Sequence, residues 1–378
     1  MRILVLNPIM FTADNNVIPK VKSIKDTLFY NICLALKKQG HDVTLAAAKD
    51  FHPTEDEVYD FDVKWFKTVF RKVFPPSVLP YSLELKKYIR KHAQEFDLVI
   101  SSEAFQFTTL FAAEVIPEKT LVWQEGAAHQ RKMHQIPSKF WHNIVDRLFL
   151  RKVSVVVPRS IPAYRFIKQY MPMTVESVVD HGINLDKFSY STEKKRQIIS
   201  SSQLIKRKNI DGIIRMFAEL HKIVGYEDIR LLIAGRGEEE IALKRLSSEL
   251  GLDDAVEFLG FLPHETLNKY IRESIAFIIN SYSDMNVVSI PESIVSGTPI
   301  LSNNNNNYSG NLIVSKQVGI VRENLSVEDL KELIDNYQIY VGNCLAIRDT
   351  MSSDYTAKRL VEIYQEHNIK KNLEANGK

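Results

Sequence analysis

Two carboxylates, Asp284 and Glu292, stand with seven residues between them in the run SDMNVVSIPESIVSGTPIL, residues 283–301. Residues 275–281 before them read as a buried strand, and the stretch after them starts an apolar helix closed by Gly297-Thr298-Pro299. The pattern puts acids and free backbone N–H groups at the carboxyl end of a strand, facing a helix N-terminus. Open α/β sheets bind phosphate-bearing ligands there, because unpaired N–H groups and the helix dipole both favour negative charge. A plainer reading stands beside it. Ser289-Ile290-Pro291-Glu292 fits a capping box, with Ser289 as N-cap, Glu292 at N3 and Pro291 in the first turn. Asp284 fits an Asx-turn that ends a strand. Lys206-Arg207-Lys208 form a basic turn ahead of a helix, and Gly235-Arg236-Gly237 is a lone GxG that a strand-to-helix turn explains equally well. His129, His134 and His142 follow no metal-ligand spacing, so no metal site is expected.

Those residues need a scaffold, and the hydrophobic pattern supplies one. Residues 2–7 (RILVLN) form a short continuous apolar run, the mark of a strand covered on both faces. Residues 25–38 then show helical spacing through Leu28, Ile32, Ala35 and Leu36 and stop at Gly40. Further strands are expected at 42–47, 98–101, 121–124 and 153–157. A second unit of the same kind starts near Ile198. It has strands at 197–200, 230–234, 256–259 and 275–279, and helices at 211–224, from 238 to Gly251, and at 264–273. Alternating strands and helices predict an α/β fold of two doubly wound parallel sheets, joined near residues 184–192. Residues 354–367 are helical in pattern and close the chain against either unit.

Composition fits two such units. A chain of 378 residues exceeds the single core of about 250–300 residues. The net charge of +3 gives no global nucleic-acid signal, yet residues 1–189 carry 26 Lys/Arg against 20 Asp/Glu and residues 190–378 carry 23 against 26. That asymmetry predicts a basic face on the first unit. The two cysteines, Cys33 and Cys344, form no metal or redox spacing and read as reduced, buried thiols of a cytosolic protein. MRILVLNPIM lacks the layout of a signal peptide, and no run of about 18 apolar residues predicts a membrane span.

Five segments recur in an order that resembles the GT-B glycosyltransferases, especially the large family 4 (glycosyl transferases group 1). They are Gly182-Ile183-Asn184 with Phe188; Leu204 with Lys208; LLIAGRG at 231–237; VEFLGFL at 256–262; and Asp284-x7-Glu292 with SGTP at 296–299. The likeness is dense over 180–302. Ahead of that it rests on RILVLNP and on Leu36 with Gly40-His41-Asp42-Val43. The resemblance implies two Rossmann-like domains facing across a cleft: residues 1–185 for the acceptor and 192–350 for the donor. A C-terminal helix over 354–378 is expected to pack back on the first domain. It also implies transfer of a sugar from a UDP- or GDP-sugar to a saccharide or lipid-linked acceptor, with retention and with neither metal nor cofactor.

Residue by residue, the resemblance places Glu292 on the donor's ribose hydroxyls, a task suited to an ionised acceptor. Asp284 stands where the family has its first glutamate, near the donor sugar. The glycine places between them hold Met285, Asn286 and Val287, and the N–H groups of Asn286, Val287 and Val288 would donate to the diphosphate. Lys208 matches the phosphate lysine. Gln203 holds the place of the usual arginine, with Arg207 able to supply its charge; fixed cations stabilise the leaving diphosphate most in the transition state. Gly235 and Arg236 lie in the glycine turn, and Leu262 in the loop that meets the base. In the first domain Trp123-Gln124-Glu125-Gly126 holds the place of a His-Gly element. Glu125 would replace that histidine, with His129 a nearby alternative. Residues 64–74 (KWFKTVFRKVF) mix aromatics with cations and suit an anionic membrane surface through Lys64–Lys72, or equally a domain helix with its aromatics inside. Two readings compete with transfer: a GT-B protein with an altered site that partners another transferase, and a nucleotide-sugar epimerase.

Overall fold

The structure is a computed structural model that describes residues 1–10, 22–25, 27–129, 135–282, 289–303 and 307–376. It divides into two compact units, Met1–Gly182 with Ser353–Lys378, and Ile183–Ser352. Residues 183–188 fall in the second unit because Ile183 N donates to Met351 O at 2.8 Å and Ile183, Phe188 and Val295 pack together.

In chain order the first unit holds β1 (Arg2–Leu6), α1 (Leu28–Lys38), β2 (Asp42–Ala48), β3 (Asp62–Phe66), α2 (Leu83–His92), β4 (Leu98–Ser102), α3 (Phe107–Val115), β5 (Thr120–Gln124), α4 (Gln135–Phe140), β6 (Val155–Pro158) and α5 (Ile161–Ile167). Its sheet is six-stranded, ordered β3-β2-β1-β4-β5-β6, and every pairing is parallel. β1 shows why the run RILVL has no polar alternation. Ile3 and Val5 enter a core with Phe29, Ile32 and Leu36 of α1, while Leu4 and Leu6 enter another with Leu85, Ile89 and Phe111. Both faces of the strand are covered, so each residue is apolar. Thr27 and Ser82 start α1 and α2 by accepting from Tyr30 N and Leu85 N.

The second unit holds β7 (Lys195–Ser201), α6 (Ile210–Leu220), β8 (Arg230–Ala234), α7 (Glu240–Glu249), β9 (Val256–Gly260), α8 (His264–Glu273), β10 (Ser274–Ile279), α9 (Ser289–Val295), β11 (Ile300–Asn303), α10 (Asn307–Lys316), β12 (Gly319–Arg322), α11 (Val327–Asp335) and α12 (Tyr337–Ile347). Its order, β12-β11-β10-β7-β8-β9, read from the other edge is the same doubly wound order as the first. Ile198 packs with Ile213 and Phe217 of α6, and Ile199 with Ile290 and Ile294 of α9, so this sheet is also covered on both faces.

The last helix, α13 (Ser353–Asn376), belongs to the first unit, where Leu360, Val361, Ile363 and Tyr364 join the core of α1. Residues 64–74 are not one amphipathic element. Residues 64–66 complete β3, which pairs with β2 and buries Phe66, and the remainder is a turn in which Phe70 and Val73 are exposed. The basic-aromatic mixture arises because an edge strand and an exposed turn adjoin. Among the described residues, no helix is long and apolar enough to cross a membrane.

Candidate active site

The strand order of the second unit reverses between β7 and β10, and the ends of these two strands diverge there. A cavity of about 120 Å³ opens at that place, lined by Ser200, Ser201 and Ser202 of β7 and its end, Ile278 to Ser281 of β10 and its end, Ile210 at the start of α6, Lys208 and Ser289. Lys208 closes the 3-10 turn Lys206–Lys208, and the next residue, Asn209, takes a left-handed conformation with φ 51° before α6 begins. The turn leaves Lys208 half-buried on the wall, whereas Arg207 and Gln203 are exposed. Arg207 contributes its carbonyl, which accepts from Tyr282 N at 2.9 Å.

The glycine turn acts through its backbone. Gly235 has φ +135°, and a Cβ there would lie 1.8 Å from Ser202 O; one on Gly237 would lie 2.2 Å from Leu204 O. Ser202 N donates to Ala234 O at 3.1 Å and Leu204 N to Arg236 O at 2.9 Å. The two glycines therefore fix the loop that forms one side of the cavity. Arg236 is exposed beside Gly260, and Leu262 is half-buried ahead of α8.

Glu292 lies on α9 with its side chain only 8 % exposed. Its carboxylate has one polar neighbour among the described residues, His264 Nδ1 at 3.6 Å. Burial pushes its pKa from 4.5 up to about 7. Ser289 is the first residue of α9, and Glu292 stands in its first turn. The SGTP residues tie the helices together: Ser296 Oγ donates to Glu292 O at 2.7 Å and accepts from Asn268 Nδ2 at 2.7 Å, and Thr298 Oγ1 donates to Ile271 O at 2.6 Å. Asp284, Met285, Asn286, Val287 and Val288 lie outside the described residues. In sequence they join Ser281 to Ser289, both of which line the cavity.

The first unit gathers a second polar group at the ends of β4, β5 and β6. Glu125 accepts from Arg159 Nη1 at 2.7 Å, with His181 Nε2 at 3.9 Å. Arg159 is buried, its guanidinium 3.9 Å from the Trp123 ring centroid and 5.1 Å from that of Phe29. Glu103, at φ 64°, accepts from Glu125 N at 2.7 Å, Gly126 N at 3.1 Å and Gln124 Nε2 at 2.8 Å; burial raises its pKa. The sequence reading named Glu125 here but not Arg159, Glu103 or His181. The signal available was an arginine in the otherwise apolar run VSVVVPRS. His129 sits among Ser138 Oγ (3.4 Å), Tyr170 Oη (3.3 Å) and the Phe166 ring (5.2 Å), and burial lowers its pKa. His142 pairs with Asp146 at 2.6 Å, and His134 lies outside the described residues. No three His, Cys, Asp or Glu side chains converge as a metal-ligand set among the described residues.

Residues 183–337 match the family model of glycosyl transferases group 1. An uncharacterized glycosyltransferase of Haemophilus influenzae is 22% identical over 354 residues, 88% of this chain and 92% of that protein. The alpha-monoglucosyldiacylglycerol synthase of Streptococcus pneumoniae is 25% identical over 247 residues, 60% of this chain and 55% of the synthase. In structure the chain resembles HepE of Anabaena, solved in complex with UDP, at TM-score 0.64 and 13% identity, covering 97% of this chain and 100% of HepE. The chain is therefore similar to the group 1 glycosyltransferases over residues 183–337, and its two units have the GT-B fold. Gln203, Arg207, Lys208, Gly235, Arg236, Leu262 and Glu292 all fall within the matched segment, while Glu125 and His129 precede it.

Proposed function

We propose that the chain is a retaining, metal-independent hexosyltransferase of the family 4 type. It would move a sugar from a nucleotide diphosphate donor to a saccharide or lipid-linked acceptor, in cell-surface polysaccharide or glycolipid synthesis. The observation that carries this reading is the cavity at the ends of β7 and β10 with Lys208 on its wall. A diphosphate needs a fixed cation and helix N–H groups, and that place supplies both. In the reaction the bond from the anomeric carbon to the diphosphate oxygen breaks, and the acceptor oxygen forms its bond on the same face. The acceptor's proton passes to the leaving phosphate oxygen, so no strong protein base is required. Lys208 carries the negative charge that develops on the diphosphate, and Glu292 accepts hydrogen bonds from the ribose.

Asp284 and the N–H groups of Asn286, Val287 and Val288 complete the donor side in this reading, and Glu125 serves the first unit. His129 is assigned to packing, given its ring and hydroxyl neighbours. UDP is the preferred nucleotide because HepE was captured with it, and a lipid-linked acceptor gains support from the Streptococcus pneumoniae synthase. A cytoplasmic site at the inner membrane face fits two buried, unpaired cysteines, Cys33 and Cys344. The test is a panel of UDP-, GDP- and ADP-sugars assayed for binding and hydrolysis by the wild type and Glu292→Ala. Binding of one nucleotide class, weakened in the variant, is expected. No binding to any of them, or a variant intact in both binding and turnover, overturns the reading.

A further inference from the structure

The chain from Gln135 to Lys152 carries a surface that the donor site does not use. It runs as α4, continues through a π-helical segment, Trp141–Asp146, and ends in a 3-10 turn, Leu150–Lys152. One face is interior: Ser138, Trp141, His142, Asp146 and Leu150 are buried, and the Trp141 indole donates to Ala104 O at 3.0 Å. The other presents Ile136, Phe140, Ile144, Leu148 and Phe149 to water, 79, 62, 41, 59 and 52% exposed. Four of these recur every fourth residue, so they lie in one stripe along the helix. Single exposed apolar residues need no explanation; a contiguous row of large ones marks an interaction surface.

Along this segment the exposed charges have one sign. Between residues 126 and 175 the only acid is Asp146, buried against His142, while Lys139, Arg147, Arg151 and Lys152 are exposed. Ring contacts of Trp141 with Phe107 (5.3 Å) and of Phe107 with Phe74 (4.9 Å) connect this segment to the turn that exposes Phe70 and Val73 beside Lys72. Arg71 of that turn is held by Asp50 at 2.6 Å.

We propose that this face docks on an anionic lipid bilayer, the apolar stripe entering the headgroup boundary and the cations meeting lipid phosphates. The inference deepens the membrane-linked reading above and rests on it for its purpose, though not for its geometry. Charge decides the occupant. A second copy meeting this face in a two-fold dimer would bring the same cations together, whereas lipid phosphates neutralise them.

Co-sedimentation of the full chain with synthetic vesicles tests the proposal; the vesicles hold no glycosylated lipid, so a saccharide acceptor contributes nothing. Binding to phosphatidylcholine mixed with phosphatidylglycerol is expected to exceed binding to phosphatidylcholine alone by about tenfold, and to weaken with salt. The triple variant Phe140→Ser, Leu148→Ser, Phe149→Ser should lose about tenfold or more in partitioning with an unchanged melting temperature, because its positions are exposed. Lys139→Glu with Arg147→Glu and Lys152→Glu should remove the salt-dependent part. Failure of the wild type to bind, or binding unchanged in both variants, overturns the proposal. So does a concentration-dependent dimer that the serine variant abolishes. Binding of UDP-, GDP- and ADP-sugars measured in the same samples separates the two readings: vesicle binding without binding of any nucleotide sugar sinks the transferase and leaves the surface standing, and the converse sinks the surface alone.

Discussion

At the point where the first unit's strand order reverses, Ser102 Oγ donates to Asn7 Oδ1 at 2.8 Å, and just beyond it Glu125 links Glu103, through its backbone N–H, to Arg159, through its carboxylate. At the matching point of the second unit, the ends of β7 and β10 border a cavity of about 120 Å³ with Lys208 on its wall. The strand order is the same, so topology supplies the place in both and does not decide its use. Loop chemistry decides it. In the second unit Gly235 and Gly237 let one loop pass within contact of another and leave space beside a cation. In the first, an arginine and two carboxylates meet beside that point from several strand ends.

Lys208 gives the largest expected effect. Lys208→Ala should lower kcat/KM for the donor by about 10²–10³-fold, the loss usual for one preorganised group facing developing charge. Its stability should move by less than about 1 kcal/mol, as for other substitutions outside the core. Lys208→Arg should recover part of the rate. Turnover within a few fold of wild type in the alanine variant would remove the cation from the chemistry and with it the contrast between the units.

Arg159→Met probes the other side. The guanidinium is buried between Trp123 and Phe29 and holds Glu125, so its loss should cost about 2–3 kcal/mol in urea denaturation. Nucleotide affinity should stay at the wild-type value, because the residue belongs to the first unit and does not line the cavity beside Lys208. If nucleotide affinity falls while stability holds, the cluster is part of the reaction rather than of the fold.

The legible parts of this molecule are those in which a residue's neighbours in sequence are also its neighbours in space. β1 and β10 were readable because strands covered on both faces leave uninterrupted apolar runs. β3, an edge strand reading DVKWF, and the four-residue β11 and β12 carry too little pattern. Lys208 and Glu292 stand in local motifs around one strand end each. Arg159, Glu103 and His181 were missed for the opposite reason: Glu103 follows β4, Arg159 follows β6 and His181 lies beyond α5, and only the fold brings them to Glu125. The stripe from Ile136 to Leu148 was hidden because the cations Lys139 and Arg147, the buried Trp141 and the half-buried Val145 alternate with it in sequence.

Glu292 offers the finest discrimination, since both units hold a carboxyl whose pKa is raised by burial. Glu103 already accepts from three protein donors, whereas Glu292 has only His264 Nδ1 at 3.6 Å among the described residues. In the free protein Glu292 keeps its proton up to about pH 7. Ribose hydroxyls that donate to it stabilise the ionised form, so binding should release a proton near neutrality. Nucleotide affinity should then rise about tenfold from about pH 6 to about pH 8 and level off above, the span over which a group of pKa near 7 ionises. Stability moves the other way. The unfolded chain ionises this carboxyl near its ordinary value of 4.5 while the folded chain holds the proton to about 7. Its contribution therefore falls as pH rises through that window and stays lower above it. Glu292→Gln lacks this fall, so it should be more stable than wild type by up to about 3 kcal/mol at about pH 8 and close to it at about pH 4. Titration calorimetry in buffers of different ionisation enthalpy reads the proton, and urea denaturation at the two pH values reads the stability. Glu103→Gln should leave the slope of affinity with pH intact; if it removes the slope and Glu292→Gln does not, the proton belongs to the first unit and the donor site has been placed on the wrong sheet.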